Sequence, residues 1–185
     1  MLVLALADRR PVPDPAILAE QRGVDAVFCL GDLDRAWIES LTGIGIPCLG
    51  VHGNHDPPGM LRELEIEDVH LRRTSVLGAT VAGFEGCVRY SANGDHQYTQ
   101  KEASKLAGRL PAADILLCHC PPLGINDDPG DPAHVGYEAL RRWVERHEPK
   151  HLLHGHTHPM SWQTVTSFGS TRVHFVRGAQ VLRLT

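Results

Sequence analysis

His52, His55, His154, His156 and His158 place five of the chain's twelve histidines in two short runs. Neutral imidazole is the commonest side-chain metal ligand, so this clustering points towards a metal site. Carboxylates and an asparagine fall into a matching pattern. Five apolar segments each stop at a residue able to bind a metal: Asp8, Asp32, Asn54, His119 and His156. In an open α/β sheet, ligands bind just beyond the carboxyl ends of the strands. A parallel arrangement of these segments would gather the five residues at one edge.

The elements that must position them can be read from apolar runs and breakers. Leu2 to Ala7 is a continuous apolar run, the pattern of a buried strand. Asp14-Pro15 supplies an N-cap and a first-turn proline for a helix that reaches Arg22 and stops at Gly23. Strands are expected from Ala26 to Leu30 and from Pro47 to Val51, with a helix over Arg35 to Leu41 between them. This alternation argues for parallel βαβ units. Ser75 to Phe84 reads as two short strands joined at Gly78, followed by a glycine-rich loop from Gly83 to Gly94. Thr99 and Glu102 have capping-box spacing for a helix running to Leu110. A strand over Asp114 to Cys118 ends at His119. A long loop, Pro121 to Pro132, leads to a helix over Val135 to His147 and a short strand at Leu152-Leu153. Thr164 to Leu184 alternates, with turns at Gly169 and Gly178, which suggests antiparallel strands.

Composition narrows the function classes. Hydrophobic residues make up 42% of 185 residues and the net charge is -4, as expected for one globular domain spanning residues 1–185. No basic excess indicates a nucleic-acid partner, although bound cations would add positive charge that this count omits. The five cysteines, Cys29, Cys48, Cys87, Cys118 and Cys120, are odd in number and lack disulfide-framework spacing, so they read as small buried apolar groups. Cys118-His119-Cys120 would not readily converge on a zinc ion, because successive residues of a strand face opposite ways. No apolar stretch is long enough to span a membrane, and the N-terminus lacks a basic segment and a cleavage site. The expected compartment is the reducing cytoplasm.

The segments ALAD (Asp8), LGDLD (Asp32), HGNHD (Gly53 to Asp56), LLCHCPP (His119) and LHGHTHP (His154 to Pro159) resemble those of the calcineurin-like metallophosphoesterases. GNHD and GHTH are that family's most specific signatures and stand here unaltered. The resemblance runs from Met1 to about Pro159. It implies an α/β fold of two packed β-sheets flanked by helices, a four-layer α/β/β/α sandwich. It also implies hydrolysis of phosphoric esters, phosphodiesters more than monoesters. Two divalent cations ~3.5–4 Å apart can activate hydroxide and neutralise the phosphoryl oxygens. By resemblance Asp32 bridges the two metals, Asp8 and His158 hold the first, and Asn54, His119 and His156 hold the second. His55 protonates the leaving group or stabilises the phosphoryl charge, and Asp56 orients His55. Manganese is the expected metal, with iron, zinc, nickel or cobalt as alternatives for the same donor set, one or two ions per chain.

One position departs from the family. The first motif is usually Asp-x-His, and here Arg10 stands in the histidine's place. A guanidinium has no lone pair to donate. Water could fill the gap, the first site could stay empty, or Arg10 could bind phosphate itself; a weakened first site is the favoured expectation. His134, after the long loop, is a further candidate for touching substrate. A cyclic nucleotide or another small diester suits the charge. The rivals are a nuclease and, because the first-motif histidine is missing, a catalytically weak metal-binding regulatory protein on the same fold. Oligomeric state is left open.

Overall fold

The computed structural model describes the backbone of residues 1–185 and the side chain of every residue except Ser161. The first half runs β1 (Leu2–Ala7), α1 (Pro15–Arg22), β2 (Ala26–Cys29), α2 (Arg35–Ile38), β3 (Cys48–Gly50), α3 (Met60–Glu63), β4 (Glu67–Asp68), β5 (Arg73–Val76) and β6 (Ala79–Phe84). The second half runs β7 (Cys87–Val88), β8 (Gln97–Tyr98), α4 (Gln100–Ala107), β9 (Ile115–Cys118), α5 (Glu138–His147), β10 (His151–His154), β11 (Ser167–Phe168), β12 (Thr171–Phe175) and β13 (Gly178–Arg183).

Two mixed sheets form, in strand orders β13-β1-β2-β3-β4 and β11-β12-β10-β9-β6-β5. The period-two geometry of β1 shows how they pack. Val3, Ala5 and Ala7 join Phe28, Leu49, Val81, Ile115, Leu117 and Leu153 in a core between the sheets. Leu4 and Leu6 face the other way, onto a core shared with Leu18, Ile38 and Leu61 of the first helices. On the far side, Leu116 and Leu152 pack against Ala103, Leu140 and Trp143 of α4 and α5. Each strand buried on both faces must be apolar at every position, which explains the unbroken runs LVLALA and ILLC. The layers are therefore α/β/β/α, as expected.

Caps set the helix ends. The Asp14 side chain accepts from the Ala16 and Ile17 amides, and Gly23 closes α1 with φ +57°. Thr99 and Glu102 form the expected capping box. Asp34 caps α2 through the Ala36 amide. The helix expected over Arg35 to Leu41 splits into α2 and a 3-10 turn at Glu39–Leu41.

Other expectations needed correction. The loop from Gly83 to Gly94 contains β7, which pairs in parallel with β8 as a separate two-stranded sheet. A two-residue strand leaves no periodicity to read. The helix expected from Val135 begins at Glu138, because the Leu123 amide bonds the Tyr137 carbonyl and the Tyr137 amide bonds the Pro121 carbonyl, holding that residue extended. α3 and β4 went unread. The turn at Gly169 does join an antiparallel pair, β11 and β12. At Gly178, however, the chain changes sheets: β12 pairs in parallel with β10, while β13 pairs antiparallel with β1.

Candidate metal centre

β1, β2, β3, β9 and β10 all run in parallel within their own sheets. Their carboxyl ends deliver Asp8, Asp32, Asn54, His119 and His156 to one edge, where the two sheets meet. The turns there are tight. Asp8, Asp32 and His156 have φ of +61°, +53° and +67°, a conformation that side-chain-bearing residues rarely adopt and that concentrates at functional sites. Two glycines make the approach possible. A Cβ on Gly31, at φ +91°, would stand 2.2 Å from the Gly53 nitrogen, and one on Gly53 would stand 2.1 Å from Asp32 Oδ1.

Asp32, His119 and His156 each bring one donor atom into a group whose members lie within 4.8 Å of one another. His119 is fully buried. Its Nδ1 donates to the Leu30 carbonyl at 2.8 Å, which leaves Nε2 facing Asn54 Oδ1 at 3.2 Å and Asp32 Oδ2 at 3.5 Å. His156 Nε2 donates to the Ala133 carbonyl at 2.7 Å, leaving Nδ1 as its free donor atom. Asn54 is oriented by its amide, which donates to the Tyr90 hydroxyl at 3.1 Å and so aims Oδ1 inward. A ring nitrogen turned towards two oxygens that cannot donate to it fits a cation between them. Neutral imidazoles, an amide oxygen and a carboxylate form a donor set suited to a first-row divalent metal. The residues present fit the ion that the motifs imply.

The electrostatics agree. Burial opposes charge on His119, yet the Asp32 and Asp8 carboxylates outweigh it and push its pKa up to about 9. Asp32 moves below the usual carboxylate range despite burial, through His119 and the His55 amide, which donates to Oδ1 at 2.9 Å. Asp8 moves the other way, up to about 6, through burial and the neighbouring charge of Asp32. Burial pushes His156 down to about 3, so this ring is neutral, as a ligand must be. A divalent cation bound here would displace the proton from His119, because a ligand imidazole must be neutral, and would offset the crowding of the two carboxylates.

The remaining sequence-derived residues take different places. His55 is exposed and lines a cavity of about 510 Å³ together with Asp8, Asp32, Trp37 and Pro57. Asp56 does not orient His55. Its two oxygens accept from the backbone amides of Asp32, Leu33 and Gly53 at 3.0, 2.9 and 2.7 Å, clamping the loop after β2 to the loop after β3. His158 is exposed and stands outside the Asp32-His119-His156 group. Asp8 accepts the His156 amide on both oxygens, at 3.1 and 3.0 Å. His134 is brought to the site: its ring centroid lies 5.1 Å from that of His156 and 5.5 Å from that of His158. Its Nδ1 is 2.6 Å from Asp131, and it lines a second cavity of about 690 Å³ with Thr157 and His158. Arg10 is exposed. His154, beside the second motif, uses both nitrogens structurally, on Asn126 and the Gly155 carbonyl.

Two contributors went unread in the sequence. Tyr90 reaches Asn54 across 36 residues and has no motif around it. Arg177, just before β13, lies close enough for its charge to oppose the rise at Asp8 and to add to the burial that lowers His158. Only the crossing between sheets at Gly178 places it there. All five cysteines are buried and free, as expected. No helix among the described residues is long and apolar enough to cross a membrane.

Comparison with known proteins follows the geometry. UDP-2,3-diacylglucosamine hydrolase of Salmonella arizonae is 26% identical over 97% of this chain and 91% of its own length. The protein of the same name from Salmonella typhi is 25% identical over the same shares. A solved crystal structure superposes with a TM-score of 0.65 at 16% sequence identity, over 93% of this chain and 88% of the other, so the fold is shared. The calcineurin-like phosphoesterase superfamily domain matches residues 1–179, and the chain belongs to that family of metal-dependent phosphoric ester hydrolases.

Proposed function

We propose that this protein is a phosphodiesterase acting on small diesters, with Asn54, His119, His156 and Asp32 holding the principal metal and His55 serving the leaving group. The observation that carries this reading is the convergence of Asp32, His119 and His156 beside an exposed His55 at a cavity mouth. A divalent cation bound there would act as a Lewis acid towards phosphoryl oxygens and lower the pKa of water. The chain's own groups do the rest. His119 and His156 are locked by their carbonyl partners so that only one nitrogen of each faces the centre. Tyr90 fixes the Asn54 amide. His55 has its backbone bonded to Asp32 and its ring in the cavity, where it can give a proton to the departing oxygen. His134 and Arg10 are proposed substrate contacts, His134 from the second cavity.

Diesters are favoured over polynucleotides because the net charge is -4 and long nucleic acids are bound through basic surfaces. The relatives' name refers to a UDP-linked compound, which supports a nucleotide-containing diester as the substrate class. Manganese is the proposed metal and the cytoplasm the proposed compartment, the latter in keeping with five unpaired cysteines.

The test is manganese-dependent hydrolysis of bis-p-nitrophenyl phosphate, beside Asn54→Ala and His55→Ala. Turnover that needs metal and falls ~100-fold or more in both variants is expected. Folded protein that turns over neither this diester nor a nucleoside diphosphate sugar with manganese, iron, zinc, nickel or cobalt would overturn the reading.

A further inference from the structure

A second group of side chains has metal-ligand character, and the motifs do not use it. His52, Glu85 and His96 each place a donor atom within 4.8 Å of the others. They come from three chain segments: the residue before Gly53, the residue after β6, and the residue before β8. Backbone bonds tie them together. The Gly86 amide donates to the His52 carbonyl at 2.8 Å, and the Cys87 amide donates to the His96 carbonyl at 3.0 Å.

His52 Nδ1 lies 3.4 Å from Glu85 Oε2, and His96 Nδ1 lies 3.2 Å from Glu85 Oε1. Ligands at ~2.0–2.1 Å from a tetrahedral zinc stand ~3.3–3.4 Å apart, so each imidazole lies at about ligand-to-ligand distance from one oxygen of the Glu85 carboxylate. The His52 side chain is only 5% exposed. Both its nitrogens, and His96 Nε2, are buried with no hydrogen-bond partner among the described residues. Buried polar atoms are rarely left so. Asp68 Oδ2 stands 3.9 Å from His52 Nδ1, with its side chain 40% exposed. The same residues open onto a cavity of about 700 Å³ that Asp68 and His70 also line. That cavity provides an entry path and a fourth ligand.

We propose that His52, Glu85 and His96 form a separate divalent-cation site of the zinc class, completed by Asp68 or water. The two imidazoles now stack with planes 3° apart and centroids 4.6 Å apart. Loading tilts one ring so that the two lone pairs converge. Glu85 is held from behind by the Tyr98 hydroxyl, while its own backbone amide donates to His70 Nδ1 at 3.0 Å. Such outer partners orient metal-binding carboxylates. The site is structural in consequence: it pins His52, two residues before Asn54, to the end of β6. It thereby stiffens the loop that carries Asn54, His55 and Asp56.

The test uses the full chain with its principal centre disabled by Asp32→Asn and His156→Ala, and Zn²⁺ as the calorimetric titrant. One equivalent is expected to remain bound, to raise the melting temperature by roughly 5–10 °C at a hundredfold excess over Kd, and to weaken at least 100-fold on adding His96→Ala or Glu85→Gln. No retained equivalent, or retention in both of those variants, overturns the proposal. Should the disabled background unfold, zinc stoichiometry of the otherwise unaltered protein decides: His96→Gln must lower it by one, and an unchanged value overturns the site. Phosphodiesterase activity is not the readout, so failure of the functional reading leaves this test intact.

Discussion

Asn54, His119 and His156 meet in buried positions with their rings and amide held by Leu30, Ala133 and Tyr90. Asp8, His158 and Arg10 present a half-exposed carboxylate, an exposed imidazole and an exposed guanidinium. The buried group is preassembled for a cation; the other set carries Arg10 where the family has a histidine, and Arg177 acts on Asp8 and His158. The ordered donors are concentrated in the buried group.

The largest effect that could break this contrast is on turnover. His119→Ala should reduce metal-dependent diester hydrolysis ~100-fold or more, and His158→Ala roughly tenfold, measured as kcat/KM at saturating manganese. Equal losses would show that both halves matter alike. Next comes stability. Asp56→Ala removes the acceptor for three backbone amides in a buried place and should cost about 2–4 kcal/mol in urea unfolding. Asp34→Ala removes one helix cap and should cost about 1 kcal/mol. Matching losses would deny Asp56 its role as a clamp.

Arg10→His would sharpen the comparison from the other side. Restoring an imidazole should tighten the weaker manganese equivalent about tenfold, read by calorimetry. An unchanged isotherm would mean that Arg10 does not limit metal binding beside Asp8 and His158. The smallest effect lies at the opposite end of β10. His151 Nδ1 and His174 Nε2 stand 3.1 Å apart. Burial lowers both pKa values, and the charge of His151 adds to the shift of His174, which reaches about 4. The unfolded value is near 6.5, so the unfolded chain takes up more protons between those limits. Stability is complete above pH 6.5 and falls by about 1–2 kcal/mol as the pH drops towards 4. His174→Phe should flatten that fall in thermal unfolding measured across the window. A flat profile in the unaltered protein would remove the pair from the account.

Several of these features were legible without coordinates because they are local. The runs LVLALA and ILLC are apolar throughout since both faces are covered, and a breaker or ligand must follow them. Asp14, Gly23, Thr99 and Glu102 act within one turn of chain, so their types announce caps. Asp8, Asp32, Asn54, His119 and His156 were readable because each ends an apolar run, and parallel pairing brings such ends together. Asp56 was read as the partner of His55, and its hydrogen bonds go elsewhere. Its neighbour in sequence is His55, but its hydrogen-bond partners include Asp32 and Leu33, more than twenty residues away.

What the chain determined by itself is the set of strand-end donors and the chemistry such donors permit, because residue type and apolar periodicity are properties of short segments. Tertiary structure alone decided which of those donors converge, that His158 stays outside the buried group, that Tyr90 and Arg177 border the site, and that His52, Glu85 and His96 meet. Each of these depends on how separate segments pack. Distances between segments far apart in the chain follow from packing, which leaves no periodic trace in any one of them.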